Sequence, residues 1–269
     1  VSKFIVVEST FSHSGEKKEL HFNINDYPKF KEKIEYIVIE NEPVDLIRDD
    51  KLLEDSYYKR LNSLKRIEQS YEFMSNGLDS AVDNDLILLS DNDEIPNLSS
   101  FLIEDLKKTD YVIFKQLFFY YKFNLFYDRV PWFGTKGCKK KKLEKFSSIR
   151  NLKNKKYPIW RLDTYFSDIK QNNLKVVENG GWHFTNIKTP EELFDKFVNF
   201  GHHNEFELAN IDLDKIKEKI SNKEVFYDHL ADKESSNRWS DNYKLKKIDL
   251  SYLPKYLAQN SEKFKDWLD

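Results

Sequence analysis

Three acids fall within four residues at Asp91, Asp93 and Glu94, directly after the apolar run Leu86–Leu89 and just before Pro96. Carboxylates beside a hydrophobic strand are expensive to desolvate unless they are paired or bound to metal. Asp residues spaced i, i+2 on an extended chain face one side, and hard divalent cations take oxygen ligands. The chemistry implied is cation binding by Asp91 and Asp93 at the C-terminal mouth of a strand, where open α/β sheets bind ligands. An acidic, solvated turn is the plainer reading of the same residues. A second informative stretch is Val176–Thr185 (VVENGGWHFT), in which Gly180-Gly181 permits close backbone approach and His183 follows. His183 reads either as a neutral imidazole ligand or as a satisfied core histidine.

The elements that must position these residues follow from periodicity. Lys3–Glu8 (KFIVVE), Ile34–Glu40 and Leu86–Leu89 are short apolar runs bounded by polar breakers, and read as buried strands. The first ends in Glu8, Ser9 and Thr10, and an acid beside hydroxyls suits a ribose or a base edge as well as a plain strand exit. Between Leu52 and Met74, Leu53, Tyr57, Leu61, Leu64, Ile67 and Tyr71 recur three or four apart and predict an amphipathic helix, stopped by Asn76-Gly77. A helix is also expected through Lys108, capped by Ser99 or Ser100. Strand, helix and strand alternating at this pitch predict an α/β fold with a mostly parallel central sheet flanked by helices. Tyr111–Phe126 reads as a long aromatic strand or strand pair, mostly core. Val130–Lys145 reads as irregular because of Pro131, Gly134, Gly137 and the lysine run Lys139–Lys142. That run is a solvated loop or a contact to a diphosphate or an anionic membrane surface. Thr189-Pro190-Glu191-Glu192 reads as an N-cap followed by Pro at the first helical position.

Composition narrows the function classes. The chain has 269 residues with a formal net charge of -2, which gives no electrostatic case for nucleic acid. The lone Cys138 excludes an internal disulfide and a thiolate cluster and suits a reducing, cytoplasmic setting. No apolar stretch approaches the roughly 18 residues of a membrane span.

Four segments, in order, resemble glycosyltransferase family 17, the family of the β-1,4-N-acetylglucosaminyltransferase that adds bisecting GlcNAc to N-glycans. Phe4–Phe22 (FIVVESTFSHSGEKKELHF) is similar to its VES block, with looser Thr and Gly spacing. Leu88–Asn97 (LLSDNDEIPN) is similar to its D-x-DEIP block, Glu178–Thr185 (ENGGWHFT) to its GWHF block, and Leu253–Phe264 (LPKYLAQNSEKF) to its terminal PKYL block. The resemblance implies a single GT-A (Rossmann-like) domain over residues 1–269, with residues 190–269 as its helical C-terminal part. The family usually carries one more strand and helix before the VES block, so residues upstream of Val1 are expected to be missing.

The resemblance also implies chemistry. A D-x-D pair would hold Mn²⁺ or Mg²⁺ on a UDP-sugar, with Asp93 on the metal and Asp91 on the ribose or a metal-bound water. His183 would be a further ligand, and a mixed Asp/His site suits Mn²⁺ better. Glu8 would contact the uridine, and Arg60 would approach the nucleotide or form a surface salt bridge. Inversion needs a carboxylate to deprotonate the acceptor hydroxyl, and Glu94, Glu178, Asp163 and Glu205 are the candidates. The function expected is transfer of a sugar, GlcNAc first, from a UDP-sugar to a glycan or polysaccharide. Two other readings stand beside it: a metal-dependent nucleotidyl- or phosphoryl-transfer enzyme, and a catalytically silent glycan-binding module.

Overall fold

The computed structural model describes residues 1–199, 206, 209–230 and 242–269. It divides into two compact units. The first comprises Val1–Ala81, Lys145–Ser147 and Phe194–Ile211, and the second Val82–Glu144, Ser148–Leu193 and Asp212–Asp269.

In the first unit, β1 (Phe4–Ser9) and β2 (Ile34–Ile39) run parallel, with Phe4 opposite Ile34 and Ser9 opposite Ile39. Two helices follow, α1 (Asp50–Leu53) and α2 (Ser56–Phe73), each started by an Asp whose side chain accepts from first-turn N–H groups. The helix expected from Leu52 to Met74 is thus two helices broken at the Asp55 cap. Its inward face is also turned: Asn62 and Ser63 are buried while Tyr57 and Leu64 are exposed. Asn62 earns that burial by pairing with both backbone groups of Ile47, at 2.9 and 2.8 Å.

The second unit is built on β5 (Tyr111–Tyr120), a ten-residue strand. The chain reaches it through β3 (Leu86–Leu89), β4 (Glu94–Pro96) and α3 (Ile103–Lys108). It leaves through β6 (Leu125–Phe126), β7 (Trp132–Lys139), α4 (Phe146–Arg150), β8 (Leu174–Val177) and β9 (Gly181–Thr185). Then come α5 (Pro190–Asn199), α6 (Leu213–Ser221), β10 (Lys246–Lys247) and α7 (Lys255–Gln259), although Phe146 and Ser147 of α4 and the residues of α5 from Phe194 onward are counted in the first unit. Two strands share each edge of β5. Antiparallel β7 and β6 line one edge, with β3 beyond β7 and β10 beyond β6. Parallel β8 and β9 line the other, with antiparallel β4 beyond β9. Phe114, Phe118, Phe119 and Tyr120 of β5 are buried, so the aromatic run is core, as expected.

The GT-A expectation of a mostly parallel, helix-flanked sheet is overturned. The eight strands form a mixed, strongly curled sheet with few helices, and most of its pairings are antiparallel. Two segments caused the misreading. Glu94–Pro96 is a strand rather than part of a turn, and Trp132–Lys139 is the strand between β3 and β5 rather than irregular chain. Glycine sits within β7 because neighbours fill the side-chain space. A Cβ on Gly134 would lie 1.9 Å from Gln116 Oε1, and one on Gly137 would lie 2.3 Å from the Ile87 carbonyl oxygen. The remaining helical expectations fare unevenly. Thr189 and Glu192 close a capping box at α5, through Thr189 N–H to Glu192 Oε2 at 2.9 Å and Glu192 N–H to Thr189 Oγ1 at 3.3 Å. α3 has Leu102 at its N-cap, with no side-chain cap hydrogen bond, instead of a serine. No described helix is long and apolar enough to cross a membrane.

Candidate active site

β3 delivers its acids because its leucines are held inside. Leu86 and Leu88 pack on Val112, Phe114 and Val177, so the chain emerges at Ser90 with its direction fixed. Ser90 Oγ meets Thr135 Oγ1 of β7 at 2.7 Å. The acidic turn then closes on itself twice: Glu94 N–H donates to the Asp91 carbonyl at 3.0 Å, and Asp91 N–H donates to Glu94 Oε2 at 3.2 Å. β4 continues antiparallel to β9 with Glu94 opposite His183, and Phe184 N–H donates to the Asp93 carbonyl at 2.8 Å. Gly181 makes this approach possible, while Gly180 lets the same turn close on the Lys115 backbone of β5. Gly181 has φ +117°, and a Cβ there would sit 2.1 Å from the Ile95 carbonyl oxygen.

The result is a cluster from four parts of the second unit. Asp93 Oδ2 lies 3.4 Å from His183 Nε2. Asp91 does not face the same partner, since its Oδ2 accepts from Arg150 Nη2 at 2.5 Å. Arg150 also places Nη1 3.4 Å from Glu94 Oε1. Glu94 is wholly enclosed and accepts from the indole N–H of Trp132 at 2.9 Å. Trp132 lies flat on the His183 ring, centroids 4.1 Å apart and 15° from parallel. One side chain therefore fixes the orientation of both Glu94 and His183.

The electrostatics are those of crowded acids. Burial pushes the Glu94 carboxyl above its ordinary value and Asp91 adds to this, against Arg150 and the two N–H donors. Burial likewise raises Asp91; Arg150 opposes it, while Asp93 adds to it. Lys136 is pushed down to about 8 by burial and by nearby Arg150, and its Nζ donates to the Arg150 and Leu152 carbonyls at 3.1 and 2.8 Å. Trp132, Lys136, Arg150, Asn151, Asn154 and His229 line a cleft of about 420 Å³ beside the cluster.

The other expected site residues stand as follows. Glu178, in the connection between β8 and β9, is largely exposed and paired with Lys115 at 2.7 Å. Asp163 is held at about 2 by Arg161 and Lys170, at 2.7 and 2.8 Å. Glu205 lies outside the described residues. Glu8, Ser9 and Arg60 belong to the first unit. Glu8 ties down its own loop, accepting from Lys18 Nζ, the N–H groups of His21 and Phe22, and the Tyr36 hydroxyl at 2.8 to 3.0 Å. Burial opposes its ionisation, but these four donors override that and bring it to about 2. Ser9 Oγ accepts from Phe11 N–H at 3.1 Å, and Arg60 lies half-buried on α2. In the lysine run, Lys139 is nearly buried against Asp110 at 3.0 Å, so it is not part of a free cationic surface.

Sequence reasoning passed over Trp132, Lys136 and the bridging role of Arg150. β7 bulges between Phe133 and Lys136, which pair with Lys115 and Ile113 of β5, so no strict period of two in the sequence marks Trp132 and Lys136 as sharing a face.

A model of glycosyltransferase family 17 matches residues 1–269, the whole chain. The chain belongs to glycosyltransferase family 17. No curated protein and no solved structure matches it. Family membership makes this chain a glycosyltransferase, whose partners are a sugar donor and a glycan acceptor. The D-x-DEIP and GWHF segments that suggested the family are the two strands, β4 and β9, that pair to form the cluster.

Proposed function

We propose that this family 17 glycosyltransferase is metal-dependent and inverting, and moves a sugar from a UDP-sugar, UDP-GlcNAc first, to a glycan or polysaccharide acceptor. The observation that carries the reading is the meeting of Asp93 and His183 at 3.4 Å. Among the described residues no group of three or more His, Cys, Asp or Glu side chains is disposed to hold a metal ion. A two-residue donor set nevertheless fits Mn²⁺ or Mg²⁺, which commonly take one or two protein ligands and complete their shell with substrate phosphates and water. The His183 ring adds a condition. Its Nδ1 is buried with no hydrogen-bond partner. To offer the Nε2 lone pair beside Asp93, the ring must carry its proton on Nδ1, which leaves a buried donor unmatched at about 1–3 kcal/mol. Cation affinity without nucleotide is therefore weak, and the donor diphosphate raises it.

When bound, such a cation stabilises, as a Lewis acid, the charge that gathers on the departing diphosphate. The chain's own residues do the rest. Arg150 holds Asp91 in place and presents its guanidinium, with Lys136, to the adjoining cleft, a setting suited to an anionic donor. Trp132 and Glu94 keep His183 and Arg150 oriented. Of the described base candidates, Glu178 keeps solvent access, whereas Glu94 is enclosed and Asp163 is a weak base at about 2. Donor hydrolysis and transfer should need Mn²⁺ and fall at least a hundredfold in Asp93→Ala. Full turnover of Asp93→Ala in excess chelator would defeat the metal reading, and stabilisation by CDP or GDP but not UDP would defeat the donor.

A further inference from the structure

The segment from Ile159 to Phe166 carries five large apolar side chains that the site does not use. Ile159, Trp160, Leu162, Tyr165 and Phe166 are each between 64% and 92% exposed. Monomeric proteins rarely leave so dense an apolar group in water without a partner. The segment is also built to hold that group in place. Tyr157 and Thr164 are buried and anchor it. Arg161 N–H donates to the Pro158 carbonyl, Thr164 N–H to that of Arg161 and Tyr165 N–H to that of Leu162, at 3.1 to 3.2 Å. Thr164 Oγ1 donates to the Arg161 carbonyl at 2.7 Å, and the Tyr165 hydroxyl donates to that of Ile159 at 3.1 Å. Several backbone groups are thus already paired, which lowers the penalty for moving the segment out of water.

Its surroundings invert the charge of the whole chain. Between residues 151 and 173 stand Lys153, Lys155, Lys156, Arg161 and Lys170 against Asp163 and Asp168. Both acids are engaged: Asp163 by Arg161 and Lys170, and Asp168 by Ser148 Oγ at 2.6 Å. Arg161 and Lys155 each stack over the Tyr157 ring at 5.1 Å, which keeps their charge beside the apolar tip. Trp and Tyr with aliphatic neighbours, preceded by the exposed Lys153, Lys155 and Lys156, is the composition that seats at a lipid headgroup layer. An acceptor sugar would use the aromatic faces but has no call on Ile159 and Leu162. We propose that Ile159–Phe166 is a docking surface for an anionic phospholipid bilayer, with the five apolar side chains entering the headgroup region and the lysines meeting lipid phosphates. This inference does not rest on the donor or the metal.

The experiment is co-sedimentation of the full chain with vesicles of phosphatidylcholine alone and of phosphatidylcholine mixed with phosphatidylglycerol. Two variants accompany it, Trp160→Ser with Phe166→Ser, and Lys153→Glu with Lys156→Glu. All four positions are exposed, and circular dichroism checks that the fold is retained. The wild type should bind the mixed vesicles, with affinity that drops severalfold as salt is raised. Each double variant should bind at least about tenfold more weakly. Wild type that ignores the mixed vesicles, or variants that bind as the wild type does, would overturn the assignment. So would a wild-type dimer that the Trp160/Phe166 variant converts to monomer without any vesicle binding, since the patch would then hold a second copy.

Discussion

Replacing Arg150 with Met removes the guanidinium that bridges Asp91 and Glu94 while keeping most of the side-chain stem. Both carboxyls are already raised by burial, and Arg150 is the neighbouring charge that pulls both back down. Breaking a buried ion pair by deleting one partner costs about 3–5 kcal/mol. Arg150 and Asp91 keep 29% and 35% of their side chains in solvent, so screening lowers the expectation to about 2 kcal/mol near neutral pH. The sign of the pH dependence is the diagnostic part. Without Arg150 the two carboxyls move further above their ordinary values, so the folded variant takes up a proton that the wild type does not hold. The stability lost is therefore full above the raised carboxyl values and shrinks as pH falls through them. Urea unfolding followed by circular dichroism should give a wild-type minus variant difference of about 2 kcal/mol at neutral pH that shrinks steadily as the pH is lowered. A difference that stays constant, or grows on acidification, would show that Arg150 acts through packing and that the charge account is wrong. Arg150→Lys should recover part of the difference but not the two-carboxylate bridge.

Other expected outcomes follow from the same geometry. Trp132→Phe keeps a ring on His183 but leaves Glu94 Oε1 with only the longer Arg150 contact at 3.4 Å, and should lower stability by about 1 kcal/mol while leaving donor affinity near wild type; Trp132→Leu should weaken both, as read by thermal shift with UDP and Mn²⁺. Glu8 has its carboxyl depressed to about 2, so its contribution is present above the ordinary carboxylate value and is lost as pH falls toward about 2. Glu8→Gln should thus shift the urea midpoint at neutral pH, by about 1 kcal/mol after allowance for its exposure, and not in strong acid. Gly181→Ala forces a side chain into φ +117° and against the Ile95 carbonyl. Its melting temperature should fall by more than that of Gly15→Ala, which shares a positive φ of +104° but whose Cβ would meet only the far end of the Arg66 side chain.

The apolar strands and the acidic exit of β3 were legible because burial writes itself into short runs of Val, Ile and Leu. The sheet they join was not. Strand direction depends on connections, and Gly134, Gly137 and Pro131 disguised β7 as loop; only the packed structure shows Gln116 and Ile87 filling the space that those glycines leave. The parallel reading rested on strand, helix and strand alternating, whereas β1 and β2 pair parallel with each other and β3 pairs antiparallel with β7. Asp91, Asp93 and His183 were singled out by residue type and family resemblance. Trp132 and Arg150 were not, because stacking and ion pairing across strands leave no spacing rule in sequence. Local sequence suggested a substrate role for Glu8, and did not show the four donors, Lys18, His21, Phe22 and Tyr36, that converge on its carboxylate.

Asp93 and His183 are proposed as a cation site that the donor's diphosphate completes. Calorimetric titration of Mn²⁺ into the chain, with and without saturating UDP, tests it most directly. Mn²⁺ should bind weakly alone and at least about tenfold more tightly with UDP, with UDP strengthened by Mn²⁺ to the same degree. Asp93→Ala and His183→Ala should each abolish that coupling. UDP binding of equal strength with Mn²⁺ and with excess chelator, or coupling that survives both substitutions, would contradict it.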